Sequence, residues 1–276
     1  MSTVNSGFTL VARRRAASAL ILAGLALAAW AASAGRMSGM EMGGRFSVGS
    51  FGFFVTLWVV MMAAMMFPSV WPAVAVFGLV SRRRVSEGSG TLGRSTSFVL
   101  GYLASWTIFG LVAFVALALT RRVGLDELSD TELARYVVAP LALVAAAYQF
   151  APFKQACLRK CRGPLSFFLD EWRDGVRGAV AMGSRHGSYC VGCCWMLMVV
   201  LLAVGVMSVA WMAIIAIAIA IEKLAPPRWS RFASGALAAG LVTLALVALL
   251  KPSWLPGLEG NGGGMTEMVG AATGGR

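Results

Sequence analysis

The sequence predicts an all-α protein, a polytopic bundle of membrane-spanning helices. Of the 276 residues, 58% are hydrophobic and 13% are charged, and the mean hydropathy is +0.76. A soluble domain usually carries about 25% charged residues. A hydrocarbon core about 30 Å thick requires roughly 20 apolar residues per helix, and the chain contains several such runs. Because backbone groups in lipid must hydrogen-bond within their own segment, these runs are expected to be helices.

Seven spans are predicted, separated by charged or helix-breaking residues. They cover residues 16–34, 51–80, 98–120, 136–153, 189–205, 208–222 and 232–250. The uncharged stretch 188–221 is too long for one crossing, because about 1.5 Å per residue gives roughly 50 Å. Gly205 as a helix stop and Ser208 as an N-cap therefore predict a tight hairpin. Six spans are the alternative, if this stretch crosses only once.

The net charge of +12 comes from basic residues that lie between the apolar runs. By the positive-inside rule, the arginines at 13–15 place the N-terminus in the cytoplasm, and those at 82–84 place the second loop there. Because membrane orientation accounts for the basic residues, we expect membrane lipid as a partner and do not expect nucleic acid. The first span is expected to stay uncleaved. One transmembrane domain is expected over residues 1–250, followed by a Gly-rich flexible tail at 251–276.

An amphipathic helix is predicted between spans four and five. Its apolar residues recur at steps of three or four: Leu165, Phe168, Leu169, Trp172, Val176 and Val180. Charged residues occupy the other face, so the helix is expected to lie along the membrane surface. Turns at its two ends would fold the chain back and bring the flanking segments together. The residues expected to form those turns are Gly163, Pro164, Gly183 and Gly187.

All cysteines of the chain and its single histidine lie in the segment 157–194. They are Cys157, Cys161, His186, Cys190, Cys193 and Cys194. Cys157 and Cys161 are four residues apart, so on a helix continuing from span four they would share one face. Thiolate and imidazole are ligands of Zn(II), Cu(I) and iron–sulfur clusters, so a transition metal ion is the expected cofactor. A plausible tetrahedral set is Cys157, Cys161, Cys190 and Cys193.

Span two carries four methionines at membrane depth: Met61, Met62, Met65 and Met66. Thioether sulfur is a soft, uncharged ligand that suits Cu(I), so copper is favoured, while zinc remains possible. Flexible apolar packing is the alternative role of these side chains. A route from thioethers to thiolates would suit transport, storage or delivery of copper, with a metal-delivering or metal-receiving protein as partner.

Polar side chains near the predicted inner ends of spans four and six are further functional candidates. They are Tyr148, Gln149 and Glu222. Lys223 follows Glu222 directly, and the alternative for this pair is that both side chains snorkel to the interface.

Other roles for the cysteines remain open. The CxxC spacing of Cys190 and Cys193 would suit a membrane thiol oxidoreductase or redox-cofactor protein. A structural Zn(II) that pins the spans is a second alternative, and packing of small apolar side chains is a third. The sequence contains no GxxxxGK[ST] loop, so an ATP-driven pump is not expected. A non-enzymatic role is favoured.

Three motifs resemble, in order, those of one bacterial family. The first is Trp58-x-x-Met61-Met62-x-Ala64-Met65-Met66-x-Pro68. The second runs from Tyr148-Gln149-x-x-Pro152 to Cys161-Arg162-x-Pro164. The third, His186-Gly187-x-x-Cys190-x-Gly192-Cys193-Cys194, continues to Glu222-Lys223. Over residues 58–226 the chain thus resembles the predicted metal-binding integral membrane proteins. This resemblance implies a metal site at these residues and a bacterial inner (cytoplasmic) membrane.

Overall fold

The computed structural model describes residues 19–33, 51–84, 91–122, 132, 134–205, 208–251 and 254. Every regular element within these residues is a helix, which confirms the all-α class. The α-helices are α1 (Ala19–Ser33), α2 (Phe51–Arg84), α3 (Thr91–Arg122), α4 (Ala139–Tyr148), α5 (Pro152–Arg162), α6 (Pro164–Asp170), α7 (Gly175–Gly205), α8 (Val209–Leu224) and α9 (Ser230–Leu250). A π-helical turn precedes α4 and a 3-10 turn precedes α9. Nearly all of the predicted tail lies outside the described residues.

Four helices in the described part are long and apolar enough to cross a membrane. These segments are Phe54–Arg82, Gly93–Leu119, Gly175–Val204 and Arg231–Leu250. A fifth would be the pair Ala134–Tyr148 and Pro152–Arg162, which is bent by 65°. Helices α1 and α8 are also apolar but shorter than the roughly 20 residues that a crossing requires. The seven predicted spans thus correspond to four full-length helices, one bent pair and two shorter helices.

The predicted break before span six is present. Helix α7 ends at Gly205, and the Ser208 hydroxyl accepts a hydrogen bond from the backbone N–H of Trp211 at 3.4 Å. Ser208 is therefore the N-cap of α8, as its residue type predicts. The stretch is two helices, not one.

The predicted amphipathic helix is not continuous, which corrects the sequence-based expectation. Helix α6 ends at Asp170, and α7 begins at Gly175, whose φ of +77° is a left-handed conformation that favours glycine. In the intervening segment the Trp172 indole N–H donates to Asp174 at 2.8 Å. Phe167 and Phe168 are fully buried, because α6 packs its aromatic face on the bundle.

Gly183 and Gly187 do not form turns, contrary to the sequence-based expectation. Both lie inside α7, where a Cβ at Gly183 would collide with the Phe98 carbonyl and one at Gly187 would lie 2.8 Å from the Tyr102 carbonyl oxygen. A Cβ added at Gly101 of α3 would likewise collide with a backbone carbonyl of α7, that of Val180. The small residues let two helix backbones approach closely. This α3–α7 interface is the most extensive in the described part of the chain.

Helix α5 is not a continuation of α4, which corrects a third expectation. The chain bends at residues 149–151, and Pro152 occupies the first position of α5. Proline is tolerated there because the amide N–H that it lacks would have no partner within the helix. The Tyr148 hydroxyl donates to the Gly192 carbonyl at 2.6 Å and ties the bend to α7. Cys157 and Cys161 are therefore carried by a separate helix that packs directly on α7.

Candidate metal centre

Three thiols on one turn of α7 form the centre of the candidate site. The Sγ atoms of Cys190, Cys193 and Cys194 all lie within 4.8 Å of one another. Residues at i, i+3 and i+4 share one face of a helix, so this spacing follows from helix geometry. Each of the three side chains is at most 2% exposed. We call these three cysteines the thiol trio.

A single backbone carbonyl orients two members of the trio. The thiols of Cys193 and Cys194 donate to the Cys190 carbonyl at 3.1 and 2.9 Å. The sulfurs are thereby held on the same side of α7. A soft ion bound at this point would replace these weak thiol donors with metal–sulfur bonds, since the ligand form of cysteine is the thiolate.

The two cysteines of α5 occupy different positions relative to the trio. The Cys161 thiol lies close enough to that of Cys193 for the two to interact electrostatically. The Cys157 sulfur lies against Gly192 instead, 2.7 Å from the point that a Cβ there would occupy. All five cysteines are free thiols. The compact sulfur group in the described residues is the trio, and the tetrahedral set of Cys157, Cys161, Cys190 and Cys193 stays a prediction.

His186 lies one turn before Cys190 on α7 and is enclosed by aromatic rings. The ring centroids of Phe98, Phe167 and Phe168 are 6.0, 5.4 and 6.5 Å from that of the imidazole. The side chain is buried, and its Nδ1 has no hydrogen-bond partner within the described residues. Neither imidazole nitrogen belongs to the group formed by the thiol trio, whose sulfur atoms lie within 4.8 Å of one another.

Lys223 of α8 contacts the trio at Cys190. Its Nζ donates to Cys190 Sγ at 2.8 Å and to Ser69 Oγ at 3.4 Å, and it lies 4.0 Å from Met66 Sδ. Lys223 is 8% exposed and Glu222 is 2% exposed. The alternative that this pair snorkels to the interface is therefore wrong. The residue pattern contained no signal that would have assigned Lys223 to the thiols.

Glu222 turns away from the trio into a separate buried network. Its carboxylate accepts from Lys154 at 2.7 and 2.8 Å and from Ser234 at 2.9 Å. Lys154 also donates to Gln149, and Arg162 donates to the Glu222 carbonyl at 2.8 Å. A buried carboxylate is tolerable only when it is paired and hydrogen-bonded in this way. The network ties α5 to α8 and α9.

The four methionines of α2 are buried in the same apolar core as the trio. Each is at most 1% exposed: Met61, Met62, Met65 and Met66. The contact of Met66 with Lys223 links this helix to the sulfur of Cys190. Tyr102 of α3 adds a hydroxyl 3.0 Å from the same sulfur. Tyr102 was not among the residues that the sequence singled out.

An all-helical fold with a buried group of three thiols is characteristic of a protein that can bind a soft metal ion. Residues 55–248 match the PpoB2 family, described as a copper chaperone. The match covers well over half of the chain, and the chain belongs to this family. No curated protein and no solved structure matches the chain.

Proposed function

We propose that this protein is a multi-pass membrane copper chaperone that holds Cu(I) at the thiol trio and delivers it to a receiving protein. The observation that carries the proposal is the trio itself, three buried sulfurs within 4.8 Å of one another. Membership of a copper chaperone family supports copper as the cargo. Thiolate and thioether ligands are those that soft Cu(I) prefers.

The further proposed ligands are ranked by their interactions with the trio or with Lys223. Cys161 is the first additional ligand, because its thiol interacts electrostatically with that of Cys193 and is partly exposed, while the trio is buried. Met66 is the proposed thioether ligand, because its sulfur lies 4.0 Å from Lys223 Nζ, which contacts Cys190. In this arrangement Met61, Met62 and Met65 extend the sulfur-lined path along α2. Cys157 and His186 would assist from the periphery, since neither is in the compact group.

Insertion in a bacterial inner membrane is part of the proposal. Large apolar side chains are exposed along the outer face of α3: Leu100, Ile108, Val112, Val115 and Leu119. Exposing such a continuous apolar face to water is unfavourable, whereas contact with lipid tails is not. Seven crossings follow if α1 and α8 also span, with the N-terminus in the cytoplasm. The trio lies near the middle of α7, but Lys223, which contacts it, lies at the end of α8 that would face the cytoplasm, and this suits release of copper to a cytoplasmic partner.

Metal loading of the purified protein tests the proposal. The full chain in detergent, kept reduced and free of oxygen, is equilibrated with Cu(I) or Zn(II), and bound metal is measured by elemental analysis. We expect about one Cu(I) per chain, bound more tightly than Zn(II). In Cys193→Ser the Cu(I) affinity should fall at least about 100-fold, since loss of a supporting group alone costs 10–100-fold.

The matched control is Ser188→Ala, which alters an exposed side chain on the same helix. It should bind copper like the wild type. No Cu(I) binding by the wild type, or equal binding by Cys193→Ser, would refute the copper site. Unfolding on chelation of Zn(II) would instead favour the structural-zinc role. Loss of a thiol-exchange activity in a variant that still binds metal would favour the redox role.

A further inference from the structure

The ammonium group of Lys223 has an unusual environment for a buried charge. Its hydrogen-bond contacts in the described part of the chain are the Cys190 sulfur, the Ser69 hydroxyl and, more distantly, the Met66 sulfur. The other two thiols of the trio and the Tyr102 hydroxyl also interact with it electrostatically. A buried cation normally pairs with a carboxylate. The carboxylate adjacent in sequence, Glu222, is instead paired with Lys154 and Ser234. The negative partner available to Lys223 is therefore a thiolate of the trio.

The charge of the loaded site explains why a fixed cation is useful there. In this scheme two cysteines of the trio bind as thiolates and the third stays protonated. Cu(I) with two thiolates carries a single negative charge, and burying such a charge without a partner is unfavourable. One ammonium group in contact with Cys190 cancels it. A divalent ion held by the same two thiolates would be neutral, so the ammonium would leave an uncompensated positive charge beside it.

We propose that Lys223 is the fixed counter-ion of the thiol site, and that its charge makes the site prefer monovalent copper over divalent metals. Lys223 acts through the thiolates and is not itself a ligand, because an ammonium group has no free electron pair to donate. The neutral Met66 thioether fits the same scheme, since it adds a soft ligand without adding charge. This inference rests on the proposed copper site.

The test compares the affinities of Lys223 variants for two metals. The full chain in detergent, reduced and without oxygen, is titrated with Cu(I) and with Zn(II) against chromophoric chelators of known affinity. Lys223→Leu removes the charge and keeps an apolar stem. We expect its Cu(I) affinity to fall about 30-fold or more, as for loss of one member of a buried charge pair. Its Zn(II) affinity should stay unchanged or rise, because the ammonium does not stabilise a neutral site, so that the Cu(I)/Zn(II) preference drops at least about tenfold.

Two further variants separate charge from packing. Lys223→Arg keeps the positive charge and should retain most of the Cu(I)/Zn(II) preference. Lys251→Leu makes the same chemical change at an exposed residue after α9 and should behave as the wild type. Circular dichroism and gel filtration verify folding. If Lys223→Leu does not fold, Lys223→Gln replaces it, because its amide can still donate to Ser69.

The outcomes distinguish this inference from the proposed function. A wild type that does not bind Cu(I) overturns the copper site itself. A wild type that binds, with an unchanged metal preference in Lys223→Leu, overturns only the counter-ion role. Equal loss of preference in Lys223→Arg and Lys223→Leu also overturns it, because shape rather than charge would then be decisive.

Discussion

At the scale of single residues, Tyr102 supplies a hydroxyl to the trio. Its oxygen lies 3.0 Å from Cys190 Sγ, and its ring packs near that of His186 with centroids 6.3 Å apart. Once the sulfur is a metal-bound thiolate, the hydroxyl can donate a hydrogen bond to it. Hydrogen bonds to charged groups contribute about 1.5–3 kcal/mol.

Tyr102→Phe should therefore weaken Cu(I) binding about tenfold, because it removes that donor and keeps the ring. The measurement is the same chelator competition, with the wild type alongside. Helical content should not change, since packing against His186 is preserved. Unchanged affinity would mean that the hydroxyl does not act on the loaded site.

The two cysteines of α5 should differ in their importance. Cys161→Ser removes a thiol that interacts electrostatically with Cys193, whereas Cys157→Ser alters a side chain that packs on Gly192. We expect Cys161→Ser to lower Cu(I) affinity at least about tenfold more than Cys157→Ser. The two serine variants serve as controls for each other. An equal effect would place both sulfurs at the same distance from the ion.

The sequence was informative about the thiols and less so about their neighbours. Soft ligands confined to one segment predicted a shared site, but the helical-spacing argument was applied to Cys157 and Cys161 of α5 and not to the three cysteines of α7. Tyr102 is 88 residues from Cys190, and a lone tyrosine on an apolar helix gives no signal of its contact. Lys223 was obscured by Glu222, because adjacent opposite charges at a helix end are usually solvated.

At the scale of helices, the α3–α7 interface determines whether Tyr102 reaches the trio. Gly183→Ala should separate these helices, because the added Cβ would collide with the Phe98 carbonyl. We expect a loss of stability of about 2 kcal/mol, from overpacking, and weaker Cu(I) binding. Thermal unfolding in detergent measures the first effect, and chelator competition measures the second.

The matched control for that variant is Gly240→Ala on α9, where a new Cβ would meet nothing within 4 Å. Alanine is a better helix former than glycine, so this change should be neutral or slightly stabilising. Equal destabilisation by both variants would show that close packing at Gly183 is unimportant. Sequence reasoning assigned Gly183 and Gly187 to turns, although their spacing of four residues is also the pattern of tightly packed helices.

The Lys154–Glu222 pair should matter for the assembly of α5 with α8. Lys154→Met leaves a buried carboxylate without its main partner and should cost about 3 kcal/mol or more. The double variant Lys154→Met/Glu222→Gln removes both charges and should recover part of that loss. Thermal unfolding of the two variants provides the comparison. A double variant less stable than the single one would contradict this account of the pair.

At the scale of the whole molecule, the exposed apolar faces and the charge distribution predict a membrane orientation. Reporter enzymes active only outside the cytoplasm, fused in the loop 85–90 and after residue 276, test it. We expect no activity from the first fusion and activity from the second, because arginines flank the loop and the proposed seven crossings would place the C-terminus outside. Activity of the loop fusion would reverse the orientation.

The all-α class and the break at Ser208 could be predicted because they depend on local composition and capping. The break between α6 and α7 could not, since a period of three to four residues continues across it and the positive φ at Gly175 leaves no compositional trace. Burial of Phe167 and Phe168 against the bundle is likewise a tertiary effect. Which apolar face meets lipid and which meets another helix depends on that packing.

The trio is built on a single helical turn, so the spacing of its sulfurs is independent of any loop or hinge. The sulfurs are at most 2% exposed, so a recipient thiol could reach the ion only if neighbouring helices moved apart. The cargo would then pass by successive ligand substitution, one sulfur leaving as another arrives. The dwell time of the ion would be governed by that opening, and it should lengthen in stiff, cold bilayers that slow large rearrangements.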